Sequence, residues 1–245
     1  MTRQPVPTPV PTPVPTPVPT FDEWVDYCFT QGMPDDRAGF RGPEGEAAQI
    51  RLGRFLDIDP PVLAGYVIEL FQNPEFVADR YADDQIADTV CFLFGSPSGY
   101  FHKLRSRAVA IATQVECLES VEPFYLRLLD RVCGRRGIDP DGFLTEDVEL
   151  DGAVHMIWDL DCIEGGVMFH EKWPHLVEPG LRVLENVLMK SRTCACMKSA
   201  LHGLGHIQRY HPQQCERIID RFLNERRAPA WIREYAAAAR TGCIQ

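Results

Sequence analysis

The chain has no excess of positive charge. Its 25 Lys and Arg stand against 35 Asp and Glu over 245 residues, a formal net charge of −10. That balance argues against a broad nucleic-acid face, because affinity for phosphate backbones rests on many Lys and Arg displacing counterions. Long apolar runs are missing too. The longest apolar-rich stretch, Val62 to Phe71, is about half a membrane span and already contains Glu69, so no membrane partner is expected. Behind the opening Met1-Thr2-Arg3-Gln4-Pro5 there is no apolar stretch of the kind a secretory leader needs. Nine cysteines, an odd number running from Cys28 to Cys243, fall mostly in helical patterns, where a free thiol behaves as a small hydrophobe. A reduced, cytoplasmic protein is the expectation. Several catalytic signatures are also absent. No Gly-x-Ser-x-Gly elbow, Walker loop or Gly-x-Gly-x-x-Gly occurs, which removes the common hydrolase, kinase and dehydrogenase readings.

What is present begins with a tail. Residues 5–20 are four copies of Pro-Val-Pro-Thr, holding eight of the chain's 20 prolines. Such a run has no hydrogen-bonded alternative and reads as a polyproline II spacer, on the order of 50 Å if extended. Residues 1–20 are therefore expected to be a disordered tail. The chain as a whole is 45% apolar, enough for a sizeable core. From Phe21 onward apolar residues recur at helical spacing, with no stretch of sustained strict alternation, so the fold class is all-α. Val62, Leu63, Tyr66, Val67, Leu70 and Phe71 make a wide stripe, entered through Asp59-Pro60-Pro61 with Asp59 as the expected N-cap. Further stripes follow at Ile86 to Phe94, Ala108 to Leu118 and Tyr125 to Cys133. Residues 134–151 are rich in turn residues and acids and mark an expected boundary between helical hairpins at 21–134 and 135–245. The Asp139-Pro140-Asp141-Gly142 turn fails as a calcium loop, since Gly137 and Val148 would stand where ligands are required.

Two clusters in the C-terminal part carry possible chemistry. The first is Cys194, Cys196, His202, His206, His211 and Cys215. His202 and His206 are i and i+4 and share a helix face, the geometry by which two imidazoles grip one metal ion. Gly203 stands where a zinc peptidase places its general-base Glu, so that activity is excluded. The second is His155, Trp158, Asp159, Asp161 and Glu164, in which Asp159 at i+4 is positioned to orient the imidazole of His155. If hairpins stack in order, the two clusters meet. Packing, capping or surface roles, and a solvated acidic helix face, are the ordinary reading of the same residues. Basic residues gather at His102, Lys103, Arg105 and Arg107 and again at Arg221, Arg226, Arg227 and Arg233, where they suit helix ends.

Ala200 and Gly203 recur as Ala239 and Gly242, 39 residues on. With expected hairpin pairs at 181–190 with 194–210 and 213–224 with 230–240, the C-terminal part resembles a HEAT-like helical repeat. The resemblance implies stacked antiparallel hairpins, an α-solenoid whose concave face binds another macromolecule. The first functional expectation is then a non-enzymatic protein-binding module, an adaptor, inhibitor or immunity-type partner. Its acidic and aromatic surface, lined by Trp158, Asp159, Asp161, His202 and His206, would take a basic protein and no cofactor. The alternative is a metal-binding protein or metal-dependent enzyme in which His155, Asp159, His202 and His206 hold zinc or another divalent metal.

Overall fold

The computed structural model describes residues 17–30, 42–136, 149–160 and 163–244. Among them every regular element is helical and no strand occurs. The order is α1 (Phe21–Thr30), α2 (Gly42–Leu56), α3 (Pro60–Gln72), α4 (Val77–Arg80), α5 (Asp83–Phe94), α6 (Tyr100–Leu104), α7 (Ile111–Glu119), α8 (Val121–Pro123), α9 (Asp130–Cys133), α10 (Glu149–Met156), α11 (Glu164–Met168), α12 (Pro174–Lys190), α13 (Cys194–Ile207), α14 (Pro212–Glu225) and α15 (Ala230–Arg240). A π-helical stretch, Phe124–Leu129, joins α8 to α9 in one continuous rod.

The stripe read in α3 buries Leu63, Val67, Leu70 and Phe71 as its spacing requires. Asp59 occupies the N-cap position but its side chain makes no capping bond, so Pro60 and Pro61, already set at a helical φ, do the starting. A cap the sequence reading passed over lies at Thr20. Its Oγ1 accepts from the N–H of Glu23 at 3.3 Å while its own N–H donates to Glu23 Oε2 at 2.8 Å, a reciprocal capping box that opens α1. The last copy of the proline repeat is therefore tied down rather than free. Tyr66 Oη donates to the carbonyl of Pro19 and Arg54 Nε to that of Pro17. The earlier copies lie outside the described residues, as do Asp139-Pro140-Asp141-Gly142 and the rest of 137–148.

In the C-terminal part α12 packs against α13, and α15 packs against both α13 and α14. Contacts also reach far along the chain: α10 lies on α5, and α12 lies on α7. One continuous apolar cluster thus includes residues from both sides of the expected boundary at 135. At its centre is α13, which touches α9, α10, α11, α12, α14 and α15. Eleven of its fourteen residues are buried, so it is enclosed rather than amphipathic.

Two polar devices hold α13 in place. At its N-terminus the buried carboxylate of Asp130 accepts from the N–H groups of Arg192 and Thr193 at 2.8–3.0 Å and from the Thr193 hydroxyl at 2.8 Å. Midway along, Ser199 Oγ donates to the carbonyl of Val154 and accepts from Tyr125 Oη, which pins the end of α10 to α13. The matched glycines have different work. Gly203 sits inside α13, whereas Gly242 lies beyond the end of α15 with φ +71°, a conformation that glycine adopts freely.

Candidate metal centre

The approach of Trp158 to α13 builds the site. A Cβ on Gly203 would stand 2.7 Å from Trp158 Cγ and 2.9 Å from Leu184 Cδ2, so only glycine lets the indole lie this close. Trp158 belongs to a short 3₁₀ turn, Ile157–Asp159, that follows α10. Once its indole is seated, the next residue, Asp159, reaches the face that carries His202 and His206. The residue that denies the chain a peptidase signature is the one that admits a carboxylate from elsewhere.

Three side chains converge there. His202 Nε2 and His206 Nε2 are 3.0 Å apart, His206 Nε2 is 3.3 Å from Asp159 Oδ1, and His202 Nε2 is 3.6 Å from Asp159 Oδ2. A divalent metal bound by such atoms at about 2.0–2.2 Å sets them about 3.0 Å apart in octahedral and about 3.4 Å apart in tetrahedral coordination. The 3.0 Å between the two nitrogens meets the octahedral value and the 3.3 Å contact lies near the tetrahedral one, while the 3.6 Å contact, made by the other carboxylate oxygen, is longer than either. One atom from each residue lies within 4.8 Å of the other two. His202 is buried, while the side chains of His206 and Asp159 are 31% and 39% exposed, which opens one side of the trio to solvent.

Behind His202 stands a residue that sequence reasoning did not single out. Tyr235, on α15, places its hydroxyl 2.6 Å from His202 Nδ1 and 3.4 Å from His155 Nε2. A consistent assignment of protons follows: His202 Nδ1–H donates to Tyr235 Oη, and Tyr235 O–H points toward His155. The lone pair of His202 Nε2 is then turned to Asp159 and His206, as a ligand requires. Burial pushes Tyr235 up to about 12, aided by the charge of Asp159, so its proton is retained at neutral pH. Burial first, and then the charge of His206, push His202 down to about 4, against an opposing pull from Asp159. Burial, with Lys198 and the two other imidazoles, pushes His155 down to about 3. Both rings are neutral at pH 7, the protonation state in which imidazole binds metal. The available signal for Tyr235 was its place as a bulky, polar-tipped side chain beside the Ala236–Ala239 run.

The expected residues separate clearly. His155 joins the cluster, its ring centroid 4.4 Å from that of His202, but its hydrogen-bonding neighbour is Tyr235 and not Asp159. The i, i+4 relation between His155 and Asp159 does not survive, because α10 ends at Met156 and the 3₁₀ turn redirects Asp159. Trp158 is fully buried and lines no surface. Asp161 lies outside the described residues. Glu164 is buried in the first turn of α11. His211 is buried with Nε2 donating to the carbonyl of Val167 at 2.8 Å, a structural tie to α11. Burial pushes the thiols of Cys194 and Cys215 up, a bond with Cys196 pushes Cys133 up, and none of these cysteines belongs to the trio of Asp159, His202 and His206.

The basic groups at 221–233 serve helix ends and surface pairs. Arg226 donates to the carbonyl of Ser191, Arg233 to that of Leu223, and Arg221 pairs with Glu185 and Glu225. Among the described residues no helix is long and apolar enough to cross a membrane. A scan against protein-family models, a search of curated proteins and a search of solved structures each return no match for the chain.

Proposed function

We propose that the protein binds one divalent transition metal through Asp159, His202 and His206. The reading rests on one observation: two imidazole nitrogens from one face of α13 and the carboxylate of Asp159, from a distant turn, approach to 3.0, 3.3 and 3.6 Å on a partly open face. Two imidazoles favour zinc, iron(II) or their neighbours over magnesium or calcium, which prefer oxygen. Three protein ligands leave at least one position for water or a small ligand, the arrangement of reactive rather than closed structural sites. Tyr235 supports it by fixing the ring and tautomer of His202. In this reading the hairpins α12–α13 and α14–α15 are the HEAT-like part of the fold, used as a frame for a metal. A concave groove for a basic protein is less well supported, since Trp158 and His202, two of its expected contacts, are buried.

The test is calorimetric titration of chelator-stripped full chain with zinc(II) and, under anaerobic conditions, iron(II). One equivalent is expected to bind with Kd below about 10 μM, with the heat lost in Asp159→Asn and in His206→Gln. Less than about a tenth of an equivalent bound at 100 μM metal, or unchanged binding in both variants, overturns the reading.

A further inference from the structure

A second concave site shares no residue with the metal centre. It is a cleft of about 700 Å³ between α6, the segment 165–173 and Tyr210, within the size range of small-molecule sites. Its walls are aromatic. Trp173 lies on one side, and Phe169, 50% exposed although large and apolar, meets Tyr210 edge-on at 5.7 Å. Its charges are unlike those of the chain as a whole. In a protein of net charge −10 the lining holds Arg105 and Lys172 against a single acid, Glu171, and the Arg105 guanidinium donates to His102 Nδ1 at 2.9 Å.

The placement of these cations narrows the ligand. The Arg105 guanidinium lies 4.7 Å and the Lys172 ammonium 4.4 Å from the centroid of the Trp173 ring, and the Arg209 guanidinium lies 4.7 Å from that of Tyr210. Aromatic cages that capture a cationic ligand leave their ring faces empty for it. Here the chain's own cations hold those places, so a cationic guest meets like charge. A ligand that brings negative charge meets a positive rim, and a flat ring on the same ligand meets the exposed face of Phe169. Of the basic cluster at 102–107, two members therefore turn toward this cleft.

We infer that the cleft binds a small organic anion whose charge is attached to a flat aromatic ring, an aryl carboxylate or aryl phosphate. Lys172 and Arg105 supply the charge complement, and the exposed ring of Phe169 supplies the ring contact.

Calorimetry on the full chain, with chelator present so that the metal centre plays no part, tests this with five probes: 1-naphthoate, 1-naphthyl phosphate, 1-naphthalenemethanol, 1-naphthylmethylammonium and inorganic phosphate. One equivalent of either aryl anion is expected to bind with Kd below about 1 mM, and the alcohol, the ammonium and inorganic phosphate each about tenfold more weakly or not at all. The tighter of the two aryl anions identifies the charged group. Lys172→Glu and Phe169→Ala, both at exposed positions, are each expected to weaken the better anion about tenfold with an unchanged Tm. The proposal is overturned if neither aryl anion binds by about 1 mM, if the alcohol or inorganic phosphate binds as tightly as the aryl anions, or if Lys172→Glu leaves binding unchanged. None of these outcomes bears on zinc or iron binding by Asp159, which is measured separately.

Discussion

Asp130 and Asp159 stand toward opposite ends of α13 and do different things with the same functional group. Asp130 is buried and takes two backbone N–H groups and a hydroxyl at 2.8–3.0 Å. Its charge is matched by fixed dipoles and by the Arg192 guanidinium at 3.5 Å, so it is saturated within the fold. Asp159 is partly exposed, and its oxygens face imidazole nitrogens at 3.3 and 3.6 Å, longer than good charge-assisted bonds. Neutral His202 offers that carboxylate little. In the proposed reading a metal ion satisfies all three groups at once. The lesson is that a carboxylate saturated by short donors belongs to the architecture, whereas one that faces two imidazoles at longer range has room for a cation.

The comparison breaks most visibly by removing each carboxylate in turn. Asp130→Ala is expected to cost about 3 kcal/mol of stability, because it strands two backbone donors at the start of α13, while metal stoichiometry in the folded fraction stays at one. Asp159→Ala is expected to abolish metal binding and to change the metal-free stability by less than about 0.5 kcal/mol. Urea unfolding monitored by circular dichroism, paired with metal titration, reads both. Equal destabilisation by the two substitutions would dissolve the distinction.

A sharper version concerns the residue behind His202. Tyr235→Phe removes one hydroxyl and little volume, so the fold should persist with its Tm within a few degrees. Zinc affinity is expected to fall about tenfold, through loss of the bond that orients the imidazole. A purely structural tyrosine would lower Tm and leave the affinity alone.

The smallest effect is on pH dependence. His155 and His202 refuse protons in the fold, their pKa values pushed down to about 3 and about 4, whereas the unfolded chain protonates them near pH 6.5. Their neutral forms therefore cost the fold nothing above about pH 6.5, and metal-free stability declines as pH falls from there toward 4. Urea midpoints at pH 7, 6, 5 and 4.5 should fall in sequence, with a shallower fall in His155→Gln. The same slope in wild type and variant would remove His155 from the account.

Helix class was readable from apolar spacing, since α3, α5 and α14 each bury apolar residues at helical spacing. His202 and His206 were readable as a pair because a helix fixes the i, i+4 relation. Asp159 was readable as a member of the site but not in its role. Its partners depend on where α10 stops, and helix ends are set by tertiary packing of Trp158 rather than by local pattern. Tyr235 was hidden for a similar reason: it lies 33 residues from His202, and only the packing of α15 on α13 brings them together. The cleft at Trp173 could not be read at all, because concavity belongs to no single segment.

Gly203 and Trp158 together amount to a lock and its key in evolutionary terms. A methyl group at 203 requires the indole to retreat, and a retreating indole carries Asp159 away from both imidazoles. Positions 158, 159, 203 and 206 should accordingly be inherited as one set, with any descendant that enlarges 203 also shrinking 158 and releasing the acid and the second histidine to drift.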